Sequence, residues 1–371
     1  MSGAPESRAA EPGDAAAGRG AGRESAPAGA KAGGAPAGRA ADAARRPLAV
    51  ITDDRFGDGA SIERAVLEPA GVELAVAACS SSAEVVASCR LADALLANLA
   101  PIDAAALAGL ERCVVVSRYG IGLDSVDLAA ARERGIAVRN VPGYCDAEVA
   151  EHAIGLILAL ARRIPERDRL VREGAWNDAA PNRRVAGTVL GIVGFGGSGR
   201  ALARAAVGFG FKAILVTSPR ITAGRVERGV GREFAEAARS AGCDLRPAAF
   251  EEVLTRSDWL SLNLPLLPET RGMMDAAAFA RMKEGACLVN TARGGLVDEA
   301  ALAAALESGR LGGAALDVFA AEPLPAASPL RRLPNLVFTD HSAYASAESV
   351  ADLRRRTAEN ALEELRRAGR V

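Results

Sequence analysis

The chain has 371 residues, a formal net charge of −1 and 50% apolar residues. That length suits two domains of ordinary size, each with its own core. The balanced charge, with arginine pairs such as Arg162-Arg163 and Arg183-Arg184 scattered and offset by acids, argues against a nucleic-acid partner.

Residues 1–46 are almost entirely Ala, Gly, Pro, Arg, Glu, Asp and Ser, lack the apolar run of a signal peptide, and read as a disordered tail. Ordered structure is expected from Pro47, with a strand to Asp53, a helix near 62–70, a strand at 72–77 and a helix at 82–91. Strands around 94–97 and 113–117 follow, separated by a helix, and this unit ends at Val138–Pro142. Alternating strands and short helices imply a parallel sheet. A long amphipathic helix should run from Asp146 to about Arg163, with apolar residues at 149, 150, 153, 154, 157, 158 and 161. Gly174-Ala-Trp176 and the polar run to Arg184 read as an irregular arm.

Further strands are expected near 189–193, 212–217, 259–263, 287–291, 314–318 and 336–340, and a final helix over 347–368. The polar segment 219–250 reads as a surface helix or loop insertion. The spacing places one α/β domain, 146–344, inside another made of 47–145 and 345–371. The most apolar stretch, 153–161, is too short to span a bilayer, so no membrane partner is expected. Six cysteines without a C-x-x-C, and only two histidines, point to reduced thiols in the cytoplasm and to no metal site.

The most informative segment is Thr188-Val-Leu-Gly-Ile-Val-Gly-Phe-Gly-Gly-Ser-Gly199, a buried strand entering a glycine turn and then a helix. Gly194, Gly196 and Gly199 have the G-x-G-x-x-G spacing of a dinucleotide site. The first permits the tight turn, the second lets backbone approach a pyrophosphate, and the third lets helix pack on strand. The helix, expected from Ser198 to about Phe209, then offers unpaired N–H groups and a positive dipole end to phosphate at its start. About 20 residues on, the fingerprint expects an acid for the ribose 2′-hydroxyl. The strand ends here in Ser218-Pro219-Arg220, a hydroxyl and a cation. The cofactor is therefore expected to be NAD(P)(H), with NADP(H) favoured.

Three residues follow expected strand ends, the edge where open α/β sheets bind ligands. They are Arg293 after Cys287–Thr291, Glu322 after Leu316–Phe319, and His341 after Leu336–Asp340. Together they suit hydride transfer to a small 2-oxo acid. The arginine fork holds the substrate carboxylate, the imidazole donates and recovers a proton, and the carboxylate fixes its tautomer. His152, inside the long helix, reads as a packing or hinge residue.

Asn290-Thr-Ala-Arg-Gly-Gly-Leu-Val-Asp-Glu299, Ala315-Leu-Asp-Val-Phe-Ala-Ala-Glu-Pro323 and Thr339-Asp-His341, together with the glycine motif, resemble the D-isomer-specific 2-hydroxyacid dehydrogenase family over residues 47–371. Arg118-Tyr-Gly-Ile-Gly-Leu-Asp124, Pro142-Gly-Tyr-Cys145 with Glu148, and Tyr344–Glu348 resemble its branch containing the C-terminal-binding proteins. The resemblance implies two Rossmann-like parallel-sheet domains, with Arg293, Glu322 and His341 catalytic. It implies that the loop Arg118, Gly120, Ile121 and Gly122 meets the substrate carboxylate. Tyr344, three residues beyond His341, reads either as shaping the pocket or as plain packing. It also implies that Leu264, Thr270, Thr291 and Asp317 line the cofactor, and that the chain forms a homodimer mainly through the nucleotide domains and the irregular 164–185 arm. Gly197 stands where the family often has Arg or Lys, and Asn263 where His is common. The rival expectation is a dinucleotide-sensing dimeric scaffold with little turnover.

Overall fold

The structure is a computed structural model that describes residues 45–176, 181–219 and 221–371. Five strands form the first sheet: β1 (Leu48–Ile51), β2 (Glu73–Val76), β3 (Ala94–Ala97), β4 (Val115–Arg118) and β5 (Ala137–Arg139), in the order β2-β1-β3-β4-β5. Seven form the second: β6 (Val189–Val193), β7 (Ala213–Thr217), β8 (Asp244–Pro247), β9 (Trp259–Leu262), β10 (Ala286–Asn290), β11 (Leu311–Leu316) and β12 (Leu336–Phe338). Their order is β12-β11-β10-β9-β6-β7-β8. Every strand pair in both sheets is parallel. The central strands are buried along their whole length, as in Ala94-Leu-Leu-Ala97 and Val189-Leu-Gly-Ile-Val193, because helices cover both sheet faces.

Two strands were not expected. The 219–250 segment holds helices Ala223–Val230 and Arg232–Ser240, and then β8, which pairs with β7. Its sequence Asp-Leu-Arg-Pro has no apolar run because it is an edge strand, where a proline is tolerated. β5 is likewise an edge strand of only partly buried residues. The arm is also less irregular than its composition indicates. Ile164–Arg172 is helical, with Pro165 in its first turn.

Helix Asp146–Arg162 packs Ala150, Ala153, Ile154 and Ile157 into one core with Leu202, Ala203 and Ala206 of helix Gly197–Ala206. The last helix, Ala347–Arg367, returns to the first sheet, where Leu353, Ala358, Ala361 and Leu365 share a core with Ile51, Leu96 and Val115. Among the described residues, no helix is long and apolar enough to cross a membrane. All six cysteines are buried free thiols.

In the second sheet the strand order reverses beside β6: the chain runs outward through β7 and β8, then returns to β9 on the other side. A crevice opens at the carboxyl ends of strands at such a reversal. The first sheet reverses in the same way between β1 and β3.

Candidate active site

A cleft of about 1350 Å³ lies at these strand ends and takes its walls from both sheets. The loop after β6 supplies Gly196, Gly197 and Ser198, and the loop after β9 supplies Asn263 and Leu264. Thr291 and Arg293 follow β10, Asp317 and Glu322 follow β11, and His341 and Tyr344 follow β12. From the first sheet come Arg118, Ile121 and Gly122.

The glycine turn is built as its spacing requires. Gly194 has φ 97°, and a β-carbon there would collide with the backbone oxygen of Asn263. A β-carbon on Gly199 would collide with the Gly194 carbonyl, so this contact keeps helix close to strand. Gly196 has open space in front of it and caps helix Gly197–Ala206 without any side-chain hydrogen bond, leaving the first N–H groups of the helix open. Two buried atoms on the same wall, Asn263 Oδ1 and Thr291 Oγ1, have no hydrogen-bond partner. Open helix N–H groups and orphaned polar atoms beside a glycine turn fit a dinucleotide.

His341 adopts a left-handed backbone, φ 58°, that turns its ring toward Glu322. Its Nδ1 lies 2.6 Å from Glu322 Oε2. An ionised carboxylate only accepts, so Nδ1 carries the hydrogen and Nε2 is left to hold or release the working proton. Burial pushes the Glu322 carboxyl up, but the hydrogen bonds from His341 and from Phe319 N–H, with the charges of His341 and Arg293, outweigh it and hold the group below its ordinary value. The ring remains 41% exposed on its cleft side.

The turn carrying His341 is held by Asp317, which is buried. Asp317 Oδ1 accepts from Thr339 Oγ1 (2.6 Å) and Ser342 N (3.0 Å), Oδ2 accepts from Ala343 N (3.1 Å), and the Asp317 carbonyl accepts from His341 N (2.8 Å). Because the Thr339 hydroxyl donates to Asp317, its oxygen accepts from His152 Nε2, 2.9 Å away. His152 therefore does more than pack.

Arg293 donates from Nε to Asp124 Oδ2 at 3.0 Å and from Nη1 to its neighbour's carbonyl, Ala292 O, at 2.7 Å. Arg118 sits close by, with its buried Nε unpaired and one Nη donating to Tyr119 O. Burial, and then repulsion from Arg293, pull its pKa down. Gly120 and Gly122 leave the room these guanidinium groups fill: a β-carbon on Gly120 would strike Arg118, and one on Gly122 would strike Arg293. Tyr344 pairs with Tyr144 at a ring-centroid distance of 6.3 Å.

Not every expected site residue reaches the cleft wall. The Thr270 hydroxyl closes its own turn, donating to Pro265 O (2.9 Å) and accepting from Leu267 N (2.8 Å). Ser218 follows β7 and is not among the wall residues, and its carbonyl accepts from Ile221 N (3.1 Å). Arg220 lies outside the described residues. Asp124, Tyr144 and Asp146 are on the wall although motif reading singled out none of them as site residues. Asp124 and Tyr144 lie inside two quoted motifs, a signal that could have found them.

Residues 154–343 match the NAD binding domain of D-isomer specific 2-hydroxyacid dehydrogenases. The chain belongs to that family. A glyoxylate reductase of Korarchaeum cryptofilum is 39% identical over 274 residues, which is 72% of this chain and 78% of the relative. A D-3-phosphoglycerate dehydrogenase of Mycobacterium bovis is 38% identical over 260 residues, 70% of this chain but only 46% of the relative, so the chain spans about half that protein's length. The crystal structure of a glyoxylate reductase from Paecilomyes thermophila superposes with a TM-score of 0.74 at 27% identity, covering 86% of this chain and 95% of that one. The two parallel-sheet domains are thus those of a 2-hydroxyacid dehydrogenase, an oxidoreductase with an NAD-binding domain.

Proposed function

We propose that this dehydrogenase interconverts a small 2-oxo acid and its D-2-hydroxy acid. The observation that carries this reading is the Glu322–His341 pair, which lines the same cleft as Arg293 and the glycine turn. When bound, the nicotinamide dinucleotide supplies or takes the hydride. Arg293 binds the substrate carboxylate through its fork and polarises the carbonyl. His341 Nε2 gives its proton to the carbonyl oxygen in reduction and recovers it in oxidation. Glu322 keeps the imidazole oriented and balances its charge. Arg118 adds a second cation to the substrate side of the cleft, the loop 120–122 brings backbone to the carboxylate, and the Tyr144–Tyr344 pair walls the substrate side chain.

On this reading Gly194–Gly199 cradle the pyrophosphate, while Leu264, Thr291 and Asp317 lie along the rest of the dinucleotide. Ser218 takes the place of the repelling acid and, with Arg220, favours NADP(H). Domain limits of 47–145 with 345–371, and 146–344, together with a homodimer formed mainly through the nucleotide domains and the arm, belong to the same proposal. The test is a panel of 2-oxo acids, including glyoxylate and hydroxypyruvate, with NADH and with NADPH. Turnover of at least one acid that His341→Ala abolishes, with dinucleotide binding retained, is the expected result. Dinucleotide-dependent association without oxidation on any acid would replace the enzyme reading with a sensing scaffold.

A further inference from the structure

At the mouth of the glycine turn, Asp146 opens helix Asp146–Arg162, and its carboxylate lies directly on Gly197, the first residue of the opposing helix. A β-carbon on Gly197 would collide with both carboxylate oxygens, so the acid fits there only because residue 197 is glycine. Both residues line the cleft. No described residue donates a hydrogen bond to this carboxylate.

We propose that Asp146 makes dinucleotide binding proton-linked: its carboxylate occupies the edge of the phosphate site, and the pyrophosphate enters with uptake of one proton by this side chain. The inference rests on reading the glycine turn as the pyrophosphate site. A pyrophosphate diester keeps its negative charge across the neutral range, so an ionised Asp146 beside it meets like charge in a partly desolvated place. Relief comes from a proton taken from solvent, which leaves a neutral carboxyl able to donate to a phosphate oxygen.

The groups around Asp146 set the balance. Burial is the largest influence and raises the carboxyl above its ordinary value; Arg200 and Arg204 of the glycine helix oppose this, and Glu148 on its own helix adds to it. Cys145 is the adjoining titratable group, and burial pushes its thiol up to about 11. Bound pyrophosphate raises the Asp146 carboxyl further. Affinity is therefore full below the free-protein value and falls as pH rises toward the value in the complex.

Calorimetry with NAD+ tests this, since NAD+ has no phosphate that titrates in the working range. Titrations run from about pH 5 to 9, each in two buffers of different ionisation heat, so that proton uptake is read directly. In the wild type Kd should climb by up to about tenfold per pH unit over part of that range, with up to one proton taken up. Asp146→Asn, nearly isosteric, should bind about tenfold or more tightly at the alkaline end, with a flat profile and no uptake. Asp146→Val repeats the test without a polar group. Unchanged Kd, slope and uptake in both variants would overturn the proposal. Ser198→Glu separates the two readings. Loss of NAD+ binding there, with both Asp146 variants behaving as wild type, sinks only the role of Asp146. Wild-type binding in Ser198→Glu removes the turn as the pyrophosphate site.

Discussion

Arg293 Nε lies 3.0 Å from Asp124 Oδ2, joining the loop after β10 to the loop after β4. Both residues line the cleft, so the guanidinium expected to meet substrate is oriented by an acid that follows a strand of the other sheet. With Asp124 on Nε and Ala292 O on Nη1, Nη2 is the nitrogen left to bind a ligand. Asp124→Asn keeps the shape but loses the charge, and KM for the 2-oxo acid is expected to rise several-fold with a smaller change in kcat. Arg293→Lys keeps the charge but loses the fork, and kcat/KM should fall by about 10²-fold or more. Steady-state kinetics on the two variants separate these effects, and equal losses in both parameters for Asp124→Asn would assign it a direct part in the chemistry.

Glu322 gives a pH prediction with a definite sign. Its carboxyl is raised by burial but brought below its ordinary value by the hydrogen bonds from His341 and Phe319 N–H. A depressed folded-state value means that the Glu322–His341 pair contributes stability fully above about pH 4.3, and that this is lost as pH falls through the folded value. In His341→Ala the leading remaining influence is burial, so the Glu322 titration should move upward. Carboxyl-labelled NMR titration of wild type and variant measures it, and a downward or absent shift would mean that the imidazole does not hold the carboxylate.

The parts of the fold legible in advance were those with a local cause. Gly194 and Gly199 are required by contacts within one strand–turn–helix unit, and the buried β6 reads as one apolar run. Arg293, Glu322 and His341 could be placed because parallel strands end on a common edge. What escaped depends on partners distant in the chain. The edge strand β8 carries no apolar pattern, since its register comes from β7. The chain from His152 through Thr339 to Asp317 exists only once the long helix lies behind β12. The seating of Asp146 on Gly197 needs two helix starts to meet, which no spacing within either helix encodes.

A buried ion network ties the last helix to the first. Arg354 donates to Glu63 Oε1 and Oε2 (2.9 and 2.7 Å) and to Asp58 Oδ2 and Oδ1 (2.9 and 2.7 Å), while Tyr119 Oη donates to Glu63 Oε1 (2.9 Å). Glu63 is 0% exposed, so Glu63→Gln removes one of the two carboxylates that balance the buried Arg354 guanidinium. Breaking such a buried pair costs about 3–5 kcal/mol. Chemical denaturation should show a loss near the lower figure, because Asp58 remains. Hydrogen bonds from Arg354 and then Ser61 hold the Asp58 carboxyl well below its usual range. Its contribution is complete above about pH 3.9 and disappears as pH falls through the folded value, so Asp58→Asn should flatten the acid end of the stability profile.

On the proposed function, cofactor preference turns on the residues just after β7. A carboxylate at position 218 would accept from the ribose hydroxyls of NAD and repel a 2′-phosphate; Ser218 removes that repulsion. Arg220 supplies a cation two residues on. With the acid that the proposed function predicts as substrate, kcat/KM should be higher with NADPH than with NADH. Ser218→Asp should reverse that ratio by at least about tenfold, and Arg220→Ala should lower the NADPH value while sparing NADH. The two variants act on one recognition, repulsion and attraction of the same ribose substituent, so their effects on the ratio should be coupled rather than additive. A wild-type preference for NADH that Arg220→Ala leaves unmoved would return the chain to NAD, with Ser218 merely tolerated at the strand end.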